Sequence, residues 1–238
     1  MTVLFVTGTG TDVGKTVVTA AIAALALDRG ARVAVVKPAQ TGAGQGEPGD
    51  LATVTALSGA AATFELVRYP SPLSPAAAAR ADGLAPLDPV ACYDCVLRLD
   101  HDLVLVEGAG GLLVRFDEDG TTLADLARGL HAAVLVVAGP GLGTLNHTAL
   151  TLEALAHRGV DLSGVVLGYW PAEPGQAERS NLRDLETLAA RPLLGALPAG
   201  SGSLPRDAFL AIARRSLGPQ LGGQWDARAF RQHWDPQP

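Results

Sequence analysis

Of the 18 lysine and arginine side chains in this chain, only Lys15 and Lys37 are lysines. Both belong to motifs suited to holding an anion. Lysine carries a compact point charge, whereas arginine presents a planar fork. In a sequence that elsewhere uses arginine for positive charge, the two lysines mark places where the fork does not fit, such as a pocket wrapped around phosphate.

The first motif is Gly8-Thr9-Gly10-Thr11-Asp12-Val13-Gly14-Lys15-Thr16. It follows the apolar run Val3–Val6 and precedes an Ala- and Leu-rich stretch over 17–27 with strong helix propensity. Strand, glycine-rich loop and helix is the setting of a phosphate-binding loop. Its backbone N–H groups and the helix N-terminus offer positive potential. Lys15 would reach the β- and γ-phosphates, and the Thr16 hydroxyl would ligate Mg²⁺. The spacing between Gly8 and Gly14 is one residue longer than in the standard loop.

The elements that must position these residues alternate along the chain. Strands are predicted over 2–7, 32–36, 102–106, 132–138, 164–168 and 193–197, and helices over 15–29, 50–58, 87–99, 122–130, 145–158 and 177–190. The strand runs are Val- and Leu-rich without a polar face, the pattern of parallel strands covered on both sides. The expected fold is therefore α/β: a doubly wound, mainly parallel sheet with helices on both faces. Residues 42–49 and 70–75 read as Gly- and Pro-rich loops. One domain is expected over 1–238, in which 201–238 adds a short helix near 206–216 and a polar, Trp-containing tail with little helical periodicity.

Ligands in such sheets bind at the carboxyl ends of the strands. There the sequence places Lys37-Pro38-Ala39-Gln40-Thr41-Gly42, Glu107-Gly108-Ala109-Gly110-Gly111, Gly139 to Asn146, and Pro198-Ala199-Gly200. A carboxylate ending a buried strand, as Glu107 does, occupies the usual position of a Mg²⁺ ligand. Asp50, at the start of a helix, is either a second ligand or an N-cap. Cys92 and Cys95 lack a second Cys or His pair to complete a zinc site, and read as core thiols on one helix face. His147 reads as a packing or capping residue.

Composition narrows the function classes. A net charge of −6 argues against nucleic acid as the main partner. No apolar run reaches the ~18 residues of a membrane helix, and the first residues lack a signal peptide's basic start. These features predict a cytoplasmic protein with neither nucleic-acid nor membrane partner.

Four segments in order carry a family resemblance: Gly8–Thr16, Lys37–Gly42, Val106–Gly111 and Leu142–His147. Together they resemble dethiobiotin synthetases, within the P-loop NTPase superfamily, over roughly residues 1–200. The resemblance implies an ATP- and Mg²⁺-dependent ring closure of 7,8-diaminopelargonate with CO₂, in biotin biosynthesis. One amine forms a carbamate, the carbamate is phosphorylated, and the second amine closes the cyclic urea. Lys15 and Lys37 would be catalytic. Thr16, Asp50 and Glu107 would hold Mg²⁺. Asp12, Val13, Gly14, Lys15, Thr16, Val17, Glu107, Gly108, Ala109, Gly110, Gly168, Pro198, Ala199 and Gly200 would bind the nucleotide. Thr11, Lys37 and Thr41 would meet the diamine or its carbamate. Gly143, Thr144, Leu145 and Asn146 would bind its carboxylate from the second subunit of a homodimer whose active sites lie at the interface.

One departure stands out. Relatives with Asn-Asp after the strand at 164–168 use that Asn to read the adenine edge, whereas the matching residue here is Gly168. A site that reads a base by side-chain hydrogen bonds discriminates strongly, and one without them does not. Tolerance of other nucleoside triphosphates is therefore expected, unless backbone near Pro198–Gly200 reads the base instead. The main rival is a switch ATPase of the partition or positioning kind. Such proteins carry a second lysine five residues before the loop lysine, where this chain has Gly10. An amide-forming ligase is a further rival, but the chain shows no glutamine-hydrolysing domain.

Overall fold

The computed structural model describes residues 1–60 and 62–235. The described strands form one sheet of seven, every pairing parallel. They are β1 (Thr2–Gly8), β2 (Val33–Thr41), β3 (Ala62–Tyr69), β4 (Leu103–Gly111), β5 (Ala133–Ala138), β6 (Leu162–Trp170) and β7 (Ala196–Pro198), in the order β3-β2-β4-β1-β5-β6-β7. The helices are α1 (Lys15–Asp28), α2 (Asp50–Ser58), α3 (Pro75–Asp82), α4 (Pro89–Arg98), α5 (Leu123–Gly129), α6 (Thr144–His157), α7 (Gln176–Ala189), α8 (Arg206–Ser216) and α9 (Ala227–Trp234).

Two cores flank the sheet. Residues of α1, α2 and α8 pack on one face, and those of α3 to α7 with α9 on the other. Central strands have no polar face because both sides are covered: Phe5 and Val6 of β1, and Val134 to Val137 of β5, are fully buried. Each such Val, Leu or Phe contributes roughly 1.5–3 kcal/mol by leaving water. α1 is buried on nearly all sides, from Val18 to Ala26, which explains its Ala-rich composition.

The structure corrects several expectations. β3 fills a stretch for which the sequence predicts no element; as an edge strand of mixed polarity (Ala-Thr-Phe-Glu-Leu-Val-Arg-Tyr) it lacks the all-apolar signature of its neighbours. α3 begins at Pro75, inside the expected 70–75 loop, with proline in its favoured first-turn place. β2 and β4 run beyond the expected ends at Val36 and Val106, so Lys37 and Glu107 lie within strands rather than after them. β7 is shorter and later than the expected 193–197.

The C-terminal segment is more ordered than its composition suggested. α8 packs on α1 and α2 through Phe209 and Ala213. α9, capped by Asp226, places Phe230 and Trp234 against Trp170, with ring centroids 5.1 and 5.8 Å away. The expected lack of helical periodicity fails because the helix is one short apolar stripe, Ala227, Phe230 and Trp234. Residues 236–238 of the expected tail lie outside the described residues.

Candidate active site

β1 delivers the chain into the glycine-rich loop, and α1 leaves from it. Gly14 is the N-cap of α1 with φ 95°, a left-handed conformation that favours glycine. Asp12 also has positive φ, 59°. α1 starts with no side-chain cap and no acidic residue in its first turn, so its leading N–H groups are free to meet an anion. Lys15 is folded over the loop, its Nζ donating to the Gly10 carbonyl at 3.0 Å. Burial lowers its pKa, helped by the neighbouring Lys37 charge.

The second half of the site forms where two strands part. β2 pairs with β4 only as far as Val36↔Val106, while its pairing with β3 continues to Thr41. Pro38, which has no N–H, stands just past the break. The Lys37 side chain bridges the gap, its Nζ donating to Glu107 Oε1 at 2.9 Å and to the Gly108 carbonyl at 3.0 Å. It also meets Asp50 Oδ2 at 2.5 Å.

Lys37 and Glu107 are 2% and 1% exposed, so neither charge has water to rely on. Burial alone would depress the Lys37 pKa, but the Glu107 and Asp50 carboxylates outweigh it and raise the value. For Asp50, burial pushes upward and Lys37 pulls further down, leaving its pKa lowered. Both directions favour the charged forms of Lys37 and Asp50.

Asp50 is the first residue of α2, and Gly49 is the N-cap. The alternative of Asp50 as N-cap is thereby excluded. Glu107 Oε1 also accepts from the Thr16 hydroxyl at 2.9 Å, whereas its Oε2 is buried and has no partner. Two carboxylates, a hydroxyl and an orphaned oxygen suit a hard cation. Mg²⁺ takes few protein ligands and completes its shell with water and phosphate oxygens. Among the described residues, no cluster of three or more His, Cys, Asp or Glu side chains could hold a metal by itself.

These residues surround a cavity of about 810 Å³. Thr11, Asp12, Gly14, Lys15, Thr16 and Val17 line it from the phosphate loop and the start of α1, and Lys37, Thr41, Asp50, Ala109 and Gly110 line it from β2, α2 and β4. Leu73, Ser74, Pro75 and Val114 also line it and lie outside the motifs read from the sequence, while the sequence places Gln40 at the strand end without a role. The Ser74-Pro75 helix start was the available signal.

The remaining expected residues lie elsewhere. Val13 and Gly168 meet in a backbone contact: a Cβ on Gly168 would stand 1.9 Å from the Val13 carbonyl oxygen, and one on Gly14 would stand 2.7 Å from the Gly168 oxygen. Pro198 ends β7, and Gly200, with φ 80°, caps the 3₁₀ turn Ser201–Ser203, where Ser201 donates to the Pro198 carbonyl at 2.5 Å. Ala199 donates its N–H to the Trp170 carbonyl at 2.8 Å. Trp170 thus belongs to the aromatic core, while Tyr169 is 40% exposed. Gly143, with φ 87°, caps α6 without a side-chain bond, and Thr144 donates to the Gly139 carbonyl at 2.6 Å. Gly143 to Asn146 do not line the cavity of their own chain. Leu145 packs against the core, and Asn146 and His147 are exposed. Cys92 is buried, its thiol pushed up to about 12 by desolvation, and Cys95 is half-buried and also raised. Neither has the lowered pKa of a reactive thiol.

Among the described residues, no helix is long and apolar enough to cross a membrane. A family model described as an AAA domain matches residues 2–203. Curated relatives include the ATP-dependent dethiobiotin synthetase BioD of Frankia casuarinae, 64% identical over 99% of this chain and 100% of that protein. The protein of the same name from Streptomyces coelicolor is 54% identical over 99% of this chain and all of its own length. Solved structures of similar fold include the cell division ATPase MinD of Pyrococcus furiosus, with a TM-score of 0.54, 20% identity and coverage of 90% of this chain and 97% of that one. At that identity the likeness shows the fold alone.

Proposed function

The chain belongs to the ATP-dependent dethiobiotin synthetase family, and from that premise we propose how its residues divide the work. It is a ligase of biotin biosynthesis that forms dethiobiotin with ATP. The observation that carries the assignment of roles is the buried Lys37, held between Glu107 and Asp50 beside the phosphate loop.

In this reading the substrates are 7,8-diaminopelargonate, CO₂ and a nucleoside triphosphate. One amine adds to CO₂ and becomes a carbamate. A carbamate oxygen attacks the γ-phosphorus, and ADP leaves. The second amine then attacks the carbamoyl carbon and expels phosphate, closing the urea. Carbamate and triphosphate repel one another, so the site must supply positive charge between them. Lys15 and Lys37, which both line the cavity, supply it. Preorganised electrostatics and positioning dominate phosphoryl transfer. Thr16, Asp50 and Glu107 would hold Mg²⁺, which would supply charge neutralisation to the phosphates. The loop Asp12–Val17 with Glu107 to Gly110 cradles the phosphates, while Gly168 and Pro198–Gly200 bound the base. Thr11 and Thr41 offer hydroxyls to the diamine or its carbamate.

The free N–H groups at the start of α6, around Gly143, Thr144, Leu145 and Asn146, receive the substrate carboxylate in the partner subunit's cavity. Their position outside their own chain's cavity and the exposure of Leu142 (92%) and Leu150 (57%) support a homodimer. Sedimentation should give about twice the 24.3 kDa chain mass. The enzyme works in the cytoplasm. Because Gly168 offers no side chain to a base, nucleotides other than ATP are accepted; initial rates with ATP, CTP, GTP and UTP test this, and turnover with ATP alone would refute it.

The reaction is tested by following phosphate release from MgATP with bicarbonate and 7,8-diaminopelargonate added singly and together. Release that requires both, with dethiobiotin as product, is expected. The switch-ATPase reading, which Gly10 in place of a second lysine disfavours, would give steady release indifferent to the diamine.

A further inference from the structure

Asp50 is delivered to the site by the Gly- and Pro-rich loop 42–49, which has little tendency to hold one shape. Nothing local caps the helix it starts, because the N-cap is Gly49. The cap comes instead from β2. Gln40, 6% exposed, accepts the Asp50 backbone N–H on Oε1 at 2.8 Å and donates from Nε2 to the Thr41 carbonyl at 2.9 Å. Both ends of its amide are engaged, so the side chain is fixed.

Its neighbour in the sheet completes the arrangement. Gln40 on β2 pairs in register with Arg68 on β3. Arg68 is itself braced by Glu65, with Nε and Nη2 donating to its two oxygens at 2.6 and 2.8 Å. Its Nη1 donates to the carbonyls of Gly44 at 3.0 Å and Glu47 at 2.9 Å. The loop is therefore tied at its middle by Arg68 and at its end by Gln40. Gly49 shows how close the approach is: a Cβ there would stand 2.6 Å from Gln40 Oε1 and 3.0 Å from Arg68 Nη2. Its φ of −106° is open to any residue, so contact rather than backbone conformation selects glycine.

We propose that Gln40 and Arg68 form a clamp that positions Asp50 for the metal. The inference rests on the reading of Asp50 as a metal ligand. Lys37 also grips the Asp50 carboxylate, but a carboxylate shared between an ammonium and a metal ion needs its backbone held by something else. Gln40 lines the cavity, but in this role it and Arg68 are positioning residues that act through the main chain.

The test measures Mn²⁺ binding to the full-length protein with a non-hydrolysable ATP analogue, by calorimetry and by the EPR signal of free Mn²⁺, with no turnover involved. Gln40→Met keeps the length of the side chain and removes the acceptor. It should weaken Mn²⁺ about threefold to tenfold, the range for one lost hydrogen bond, and speed hydrogen exchange at the Asp50 amide. Gln40→Glu keeps the acceptor and should retain slow exchange at that amide. Arg68→Gln, which releases Gly44 and Glu47, should weaken Mn²⁺ by a smaller factor and serves if Gln40→Met fails to fold. Asp50→Asn separates the two ideas. If it weakens Mn²⁺ while Gln40→Met and Arg68→Gln do not, the clamp is wrong. If Asp50→Asn leaves Mn²⁺ binding unchanged, the ligand assignment itself falls.

Discussion

The two sides of the phosphate loop are built on opposite plans. Toward β2 and β4 the wall is made of buried charge: Lys37, Glu107 and Asp50, with Thr16 attached. Toward β6 and β7 it is made of backbone, with Gly168 against Val13 and Gly14. One side is electrostatic and needs its charges balanced; the other is steric and needs the absence of side chains. The charged side suits holding anions together for reaction. In the proposed reading, the bare side meets the base and offers it no side-chain hydrogen bonds. Substitutions should therefore fail differently on each side.

The largest effect belongs to Lys37→Met. Removing a transition-state donor of this kind costs about 10²–10³ in kcat. It also leaves the Glu107 carboxylate buried without its cation, a loss of about 3–5 kcal/mol, so activity and thermal midpoint should fall together. A variant with normal stability and activity would show that the charged wall is not needed.

On the bare side, Gly168→Ala places a methyl group against the Val13 carbonyl. Displacing the loop should raise the KM for MgATP tenfold or more and cost about 1–3 kcal/mol of stability through overpacking, with the KM for the diamine little changed. Equal changes in both KM values would mean that the two sides are not separable.

The α4–α5 layer, on the opposite face of the sheet from α1, sharpens the contrast, since it meets the charged side through Leu123 against the backbone of Gly108 and adds no charge to it. Asp125 and Thr122 form a capping box at α5: the Thr122 N–H and hydroxyl donate to Asp125 Oδ2 at 3.0 and 2.6 Å. Burial opposes ionisation of Asp125, but these bonds with Arg158 and Arg128 lower its pKa. A folded-state pKa below the unfolded value near 3.9 means stabilisation that is full above that value and lost as pH falls through the folded pKa. Asp125→Ala should cost about 1 kcal/mol at neutral pH and flatten the acid limb of the stability curve. The KM values should stay put. The smallest effect is expected at Cys92: with its thiol near 12, alkylation at pH 8 should leave it unmodified in the folded enzyme and turnover unchanged.

This contrast also explains what could be read in advance. Lys15, Lys37 and Glu107 were legible because each chemistry needs a particular residue type in a short motif at a strand end. The six apolar strands were legible because a doubly covered strand leaves no alternation to misread. β3 was not, since an edge strand shares its polarity with a loop. Gln40 and Arg68 were not, because their partners Asp50, Gly44 and Glu47 are brought to them only by strand pairing. Gly168 was visible as a missing side chain, but its steric cause, a carbonyl from the phosphate loop, appears only in the fold.

The most direct test follows an oxygen atom. If the charged wall joins a carbamate to the γ-phosphate, one carbamate oxygen must leave with the phosphate when the ring closes. In a single turnover with ¹⁸O-labelled CO₂, completed before the label exchanges with water, the released phosphate should carry one ¹⁸O for each dethiobiotin formed. Unlabelled phosphate accompanying dethiobiotin would contradict the account, because ATP would then have been cleaved without phosphorylating the carbamate.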